Sequence, residues 1–171
     1  MPLFPIAAAL AVTMLLAVLA GGAQASYLSA ARKAKLSPTI VKLAKKWAST
    51  RSLPPEWVVA TIILESGGNQ YAHNRSGRDD SYGLMQVNWL AHGDALSKAG
   101  IRPEDLFDPN VNIDWGTRIL KDSLTRAQRA GAPSTFIATR LAYTGRPATS
   151  APAPDKAVEW REALAQGSAL V

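Results

Sequence analysis

The sequence predicts an all-α or mainly α-helical domain that follows a separate N-terminal hydrophobic helix. Three observations support this fold class: apolar residues recur at helical spacing, no run alternates convincingly between apolar and polar residues, and Pro and Gly mark successive helix starts and ends. The chain has 171 residues, of which 47% are apolar. One compact domain with a substantial core and a short extra segment is therefore expected.

The charge of the chain limits the class of partner. The net charge is +6, and every charged side chain lies after residue 25. A basic body suits nucleic acid, anionic lipid or an anionic polymer such as a cell wall. No arginine-rich run or basic strip with interleaved aromatic residues is present, so nucleic acid is not an expected partner.

Metal and cofactor binding are not predicted. The chain has no cysteine, which excludes disulfides and thiolate metal sites. His73 and His92 lie 19 residues apart and belong to no cluster with metal-ligand spacing.

Residues 1–25 are predicted to be a signal peptide or a membrane anchor. Residues 6–25 carry no charge, and Ala23-Gln24-Ala25 has the form of a cleavage site. The first five residues lack Lys and Arg, however, and positive charges follow the apolar run, an order that resists translocation. The run is also just long enough to span a bilayer, so a retained anchor stays open, while a buried helix is the weakest interpretation.

The rest of the chain is predicted to be a linker over residues 26–36 followed by helices. Helices are predicted to begin at Ser37-Pro38, within Ser52 to Glu56 and after Ser134. Three further helices are predicted over residues 96–99, 110–130 and 156–166. The segment 69–80 is interpreted as a polar loop, 105–109 as a turn and 145–154 as an extended strap.

Glu65 is the strongest candidate for chemistry. The helix before it is apolar on nearly all sides, so it should be buried, and Gly67 and Gly68 should end it in the left-handed conformation. Burial and the negative end of a helix both disfavour a charged carboxylate. Glu65 is therefore predicted to hold a proton near neutral pH, as a general acid must. The alternative is an ordinary helix-end glutamate paired with Arg75 or Arg78.

A second carboxylate is less evident. A glycosidase usually needs two, and Asp79 and Asp80 are the nearest in sequence. Their polar surroundings favour a solvated or turn-capping role. If neither participates, one acid must serve both steps, which is possible when the substrate supplies its own nucleophile.

Four segments follow one another in an order that resembles a known family. They are Glu65-Ser66-Gly67, Gly83-Leu84-Met85-Gln86-Val87, Pro109-Asn110-Val111-Asn112-Ile113 with Gly116 and Leu120, and Ala142-Tyr143. This pattern resembles the soluble lytic transglycosylase catalytic domain, related to goose-type lysozyme. The resemblance covers residues 37–146, which leaves 147–171 as a Pro- and Ala-rich strap with a C-terminal helix.

The resemblance implies cleavage of the β-1,4 bond between N-acetylmuramic acid and N-acetylglucosamine in peptidoglycan, with a 1,6-anhydro muramyl product. Glu65 falls on the catalytic acid and base, and Gln86 on a contact to an N-acetyl sugar. The residues expected to bind or support substrate are Ser66, Tyr82, Met85, Gln86, Val87, Asn88 and Tyr143. The family's Ala-Tyr-Asn-x-Gly becomes Ala142-Tyr143-Thr144-Gly145, which is one residue shorter and lacks the Asn.

The expected location is the periplasm, and residues 6–25 are the segment through which a retained anchor would contact the membrane. A secretion or conjugation apparatus that opens the wall locally would suit such a domain, and a phage virion is the alternative. Two other functions stay open: a hydrolytic lysozyme of the same fold, and a non-catalytic wall-binding component.

Overall fold

The computed structural model describes residues 36–77 and 79–171. The predictions of a signal peptide or anchor over 1–25, of nearly all of the linker over 26–36 and of an ion pair with Arg78 lie outside the described residues. Within the described ranges, no helix is both long and apolar enough to cross a membrane.

The described residues are mainly helical, which confirms the predicted fold class. The helices are α1 (Pro38–Thr50), α2 (Pro55–Ser66), α3 (Trp89–Lys98), α4 (Pro109–Arg129), α5 (Phe136–Tyr143) and α6 (Pro154–Leu170), with a short 3-10 helix at Pro103–Phe107. Three short strands, β1 (His73–Ser76), β2 (Asp79–Tyr82) and β3 (Val87–Asn88), form an antiparallel sheet in the order β1-β2-β3.

Helix α2 is the centre of the core. Its residues Val58, Val59 and Ile62 are fully buried against side chains from α1 and α4. On another side, Ala60 packs in a second cluster with residues from α5 and α6. Because neighbours cover the helix on several sides, its C-terminal end is held in a defined place.

The ends of the first two helices follow the predicted signals. The Ser37 side chain accepts a hydrogen bond from the backbone N–H of Ile40, as an N-cap should. Helix α2 ends at Gly67, whose φ of 61° lies in the left-handed region that glycine adopts without strain.

The sheet was not predicted from the sequence. The sequence favours a loop over residues 69–80, but β1 and half of β2 lie there. Both strands are four residues long and mostly polar, so they lack the apolar alternation that identifies a strand.

Several predicted boundaries are also wrong. Helix α3 begins at Trp89 with Asn88 as its N-cap, well before the predicted start at 96. The predicted turn over 105–109 is largely a 3-10 helix, Thr135 rather than Ser134 caps α5, and α6 extends beyond 156–166 at both ends. Caps and turns share the same residue types, so the sequence places such ends only within a few residues.

Candidate active site

Helix α2 brings Glu65 to the wall of a cavity of about 650 Å³. The Glu65 side chain is 20% exposed, so it is accessible from the cavity while most of it is covered. The other lining residues come from the sheet, the turn before β3, and the end of α5. They are Asn74, Ser76, Asp79, Ser81, Gln86, Asn88, Tyr143 and Thr144.

One face of the sheet supplies most of the other lining residues. Strand register places Asn74 opposite Ser81, Ser76 opposite Asp79, and Ser81 opposite Asn88. Because side chains alternate along a strand, these residues share one face. The cavity is therefore lined by hydroxyl, amide and carboxyl groups that suit the hydroxyl and amide groups of a glycan.

Asp79 lies in this cavity with Glu65, contrary to the solvated or turn-capping role predicted for it. Its carboxylate accepts hydrogen bonds from Asn74 Nδ2 at 2.5 Å, from Asn88 Nδ2 at 2.9 Å and from the Ser81 hydroxyl. Three donors from three strands hold the group in one orientation. The site thus contains a second carboxylate, which the polar sequence around it did not reveal.

Glu65 is paired with a buried arginine, but not one of those proposed from the sequence. Arg140 Nη1 donates to Glu65 Oε1 at 2.7 Å, and the Arg140 side chain is 4% exposed. Arg75 lies on the other face of the sheet, opposite Asp80. The pair joins residues 75 positions apart, and no local sequence signal could have indicated it.

Tyr143 also lies beside Glu65 and donates from its hydroxyl to the Met85 carbonyl at 2.8 Å. Burial and the negative charge of Glu65 raise the pKa of Tyr143 above its ordinary value. The phenol is therefore neutral at physiological pH and can keep donating this hydrogen bond. Thr144, which follows it in place of the family's Asn, lines the cavity as well.

Gln86 is held in an uncommon backbone conformation at the cavity. Its φ is 47°, a left-handed value that costs free energy for a residue with a side chain. Its Nε2 donates to the carbonyls of Ala72 and Gly83 at 3.1 and 2.9 Å. These bonds fix the turn that carries Gln86, and a contact from Gln86 to an N-acetyl sugar stays a prediction.

Ser66 supports the site through hydrogen bonds to neighbouring backbone groups. Its hydroxyl donates to the Leu84 carbonyl at 2.8 Å and accepts from the Gly68 N–H at 3.1 Å. It therefore ties the end of α2 to the segment that contains Met85 and Gln86. Ser66 is not among the residues that line the cavity.

Three other predicted binding residues lie away from the cavity surface. Met85 and Val87 are fully buried in the core. Tyr82 lies on the opposite face of the sheet from Ser81, where its ring stacks on His73 at 4.2 Å between centroids. Direct binding of substrate by these three side chains stays a prediction, while their placement indicates a packing role.

Asp80 shares this outer face with Tyr82. It accepts one hydrogen bond from the Tyr82 hydroxyl, and its carboxylate lies 2.8 Å from His73 Nε2. The hydrogen bond with His73 lowers the pKa of Asp80, whereas burial raises the pKa of Tyr82. Asp80 therefore stabilises the sheet and does not face Glu65.

Asn112 on α4 is a buried support that was not among the predicted site residues. Its Oδ1 accepts from the Met85 N–H, and its Nδ2 donates to the carbonyls of Tyr82 and Leu106, each at 2.8 Å. Gly83 has a φ of 72°, and a Cβ there would collide with Asn112. The sequence signal that could have identified Asn112 is its place in one of the four segments that resemble the family.

The described ranges contain no group of three or more His, Cys, Asp or Glu residues that could hold a metal ion. The cavity lining itself provides two carboxylates, a neutral phenol, hydroxyls and amides. A glutamate at the end of a buried helix beside a small polar sheet fits the lysozyme-like fold class that the sequence predicts.

Comparison with known families agrees with this class. The family model of the Transglycosylase SLT domain matches residues 42–149, which is more than half of the chain. The chain belongs to this family. No curated protein matches the chain.

Members of the family are lytic transglycosylases that act on peptidoglycan, and membership supports a peptidoglycan-cleaving function of this general type. The match ends before α6, so the last helix lies outside the region that defines the family.

Proposed function

We propose that this protein is a peptidoglycan lytic transglycosylase that cleaves the β-1,4 bond between N-acetylmuramic acid and N-acetylglucosamine. The observation that carries the proposal is the position of Glu65, which reaches the polar cavity from a buried helix. Gln86, Asn88 and Tyr143 line the same cavity and can contact a glycan strand.

Glu65 would act first as an acid and then as a base. Protonated Glu65 donates its proton to the glycosidic oxygen as the bond from that oxygen to C1 of the muramic acid breaks. The resulting carboxylate then accepts the proton of the C6 hydroxyl as this oxygen forms a bond to C1. The product is a 1,6-anhydro ring, and no water is consumed.

Replacement of Glu65 tests this proposal directly. We expect Glu65→Gln to lower the rate of peptidoglycan cleavage by at least about 100-fold, because general acid–base catalysis typically contributes factors of 10²–10⁴. Release of soluble muropeptides from purified wall measures the rate. Glu56→Gln, on the first turn of the same helix and outside the cavity, is the matched control. Undiminished activity of Glu65→Gln would show that the assignment is wrong.

Hydrolysis is a second candidate function, and Asp79 favours it. A carboxylate that faces the acid across a cleft can activate a water molecule or stabilise positive charge at C1. The donors on Asn74, Ser81 and Asn88 hold Asp79 in a fixed orientation, as that role requires.

Product analysis of wall digested in isotopically labelled water separates the two reactions. We expect anhydro-muramyl ends without label, because the attacking oxygen belongs to the sugar. Asp79→Asn should then retain transglycosylation, with Asp80→Asn, which faces away from the cavity, as its control. Labelled reducing ends that disappear in Asp79→Asn would establish a lysozyme instead. If the wild-type protein binds the wall but releases neither product, the non-catalytic function holds.

We propose export to the periplasm, because peptidoglycan lies outside the cytoplasmic membrane. The apolar residues 6–25 and the Ala23-Gln24-Ala25 sequence support this location. N-terminal sequencing of the protein recovered from the host tests it. A mature chain that begins at Ser26 indicates cleavage, whereas an intact N-terminus in the membrane fraction indicates an anchor.

A further inference from the structure

Arg140 is a buried cation in direct contact with the proposed catalytic group. Its side chain is 4% exposed, and its Nε is buried without a hydrogen-bond partner in the described part of the chain. Burial of a guanidinium is costly unless other groups compensate for it. The largest compensation here is the carboxylate of Glu65, which lies 2.7 Å from Nη1.

Two aromatic rings complete the surroundings of Arg140. The guanidinium carbon lies 5.2 Å from the ring centroid of Tyr143 and 5.7 Å from that of Trp160. Both distances are within the range of a cation–π interaction, which gains strength where water is excluded. Trp160 is buried, so its ring covers Arg140 on the side of α6.

Helix α6 packs closely against the helix that carries Glu65. A Cβ added to Gly167 would lie 2.6 Å from the Glu56 carbonyl oxygen and 3.1 Å from the Ala60 nitrogen, so the two backbones are nearly in contact there. Trp160 and Ala163 share a buried cluster with Ala60. Because α6 contacts both α2 and Arg140, it fixes the position of Arg140 relative to α2.

We propose that Arg140 is a positioning residue for Glu65, and that α6 holds Arg140 in place through Trp160. This inference rests on the proposed function, and it adds a helix outside the family-defining region to the support of the active site. The contact to Oε1 restricts rotation of the carboxylate and orients it toward the cavity.

The pair also assists the step in which Glu65 acts as an acid. The hydrogen bond from Arg140 strengthens as Glu65 becomes negative, so it favours the transition state for proton donation over the protonated ground state. Other titratable groups that face Glu65 in the described chain are Tyr143 from α5 and Asp79 from β2, while α6 contributes the uncharged Trp160. Among these groups around Glu65, Arg140 carries the positive charge.

Removal of this cation should lower turnover more than substrate binding. In Arg140→Met we expect kcat to fall by at least about tenfold with little change in KM, because the contact acts mainly in the transition state. Arg140→Lys retains the positive charge and should recover part of kcat.

Arg51→Met is the matched control, since it breaks the similarly buried ion pair with Asp114 outside the cavity. If Arg140→Met and Arg51→Met lower kcat equally, Arg140 is only a structural residue and the proposal is wrong. A wild-type kcat in Arg140→Met would have the same meaning.

The role of α6 is tested separately with Trp160→Leu. We expect a smaller loss of kcat, of several-fold, again with little change in KM. Trp115→Leu removes a ring that covers Arg118 elsewhere on the surface and serves as the control. A wild-type kcat in Trp160→Leu would exclude α6 from the positioning of Arg140.

An NMR measurement of side-chain mobility at Glu65 gives a readout that needs no substrate. The Glu65 side chain should be more mobile in Arg140→Met than in the wild-type protein, and Arg51→Met should leave its mobility unchanged. If the wild-type protein releases no product from the wall, the proposed function fails, yet a more mobile Glu65 in Arg140→Met still supports the positioning role. Unchanged mobility of Glu65 in a folded Arg140→Met variant overturns it.

Discussion

At the scale of single residues, the cavity depends on buried polar side chains that satisfy backbone groups. Ser66 binds the Leu84 carbonyl and Asn112 binds the Met85 N–H, so both support the segment that presents Gln86. Such groups must be paired, because an unsatisfied polar atom in the core costs more than a hydrogen bond contributes. The cavity wall is therefore shaped in part by Ser66 and Asn112, which are not among its lining residues.

Asn112→Ala should be strongly destabilising. It leaves a buried N–H and two carbonyls without a partner, so the free energy of unfolding should fall by at least about 2 kcal/mol. Chemical denaturation measures this change. Asn110→Ala, the same substitution two positions away, removes only an exposed hydrogen bond from Trp47 Nε1 and should change the stability by less than about 1 kcal/mol. Equal effects of the two variants would contradict a special role for Asn112.

At the scale of elements, a buried helix and a polar sheet form the two walls of the site. Helix α2 can be recognised from its apolar composition, whereas β1 and β2 are short and polar. Their role follows from strand pairing, since alternation places Asp79 on the cavity face and Asp80 on the other. Helix α6 adds a third element behind Glu65.

The close approach of α6 to α2 leads to a prediction about stability. Gly167→Ala should destabilise the protein by about 1–3 kcal/mol, because the added methyl group overpacks against the α2 backbone. Helix propensity alone would stabilise the variant by nearly 1 kcal/mol, so the sign of the change separates the two effects. Thermal or chemical denaturation measures it, and Ser168→Ala at the neighbouring exposed position is the control. A more stable Gly167→Ala would show that the helices can separate without cost.

At the scale of the whole molecule, the net charge of +6 favours association with an anionic polymer such as the cell wall. The carboxylates Glu65 and Asp79 line the cavity, while lysines lie on the outer face of α1. General attraction to the wall and specific contact with the scissile bond therefore arise from different parts of the surface.

Wall binding should weaken with salt. We expect the fraction of Glu65→Gln protein that sediments with insoluble peptidoglycan to fall several-fold between about 50 mM and 500 mM NaCl, because ions screen exposed charges. The inactive variant keeps the wall intact during the measurement, and sucrose at matched osmolality controls for changes in solvent. Binding that does not depend on salt would exclude this electrostatic contribution.

The sequence alone determined the mainly helical fold, the family and the candidate Glu65. These follow from local patterns: an apolar helix that ends in Glu65 and Gly67, and the ordered segments that the family match over residues 42–149 confirms. These features can be predicted from the sequence because helix periodicity, caps and glycine conformations depend on neighbouring residues.

The tertiary structure alone decided which charged groups surround Glu65. Asp79 reaches the cavity through the pairing of two polar strands, and Arg140 reaches Glu65 from a helix that lies 75 residues further along the chain. Neither contact produces a periodic pattern in the sequence. Polar strands bury no apolar face, so they show no alternation of apolar and polar residues. An ion pair requires only that two side chains, however distant in sequence, lie close together in the fold. The charge environment of the proposed catalytic residue is therefore a property of the folded chain.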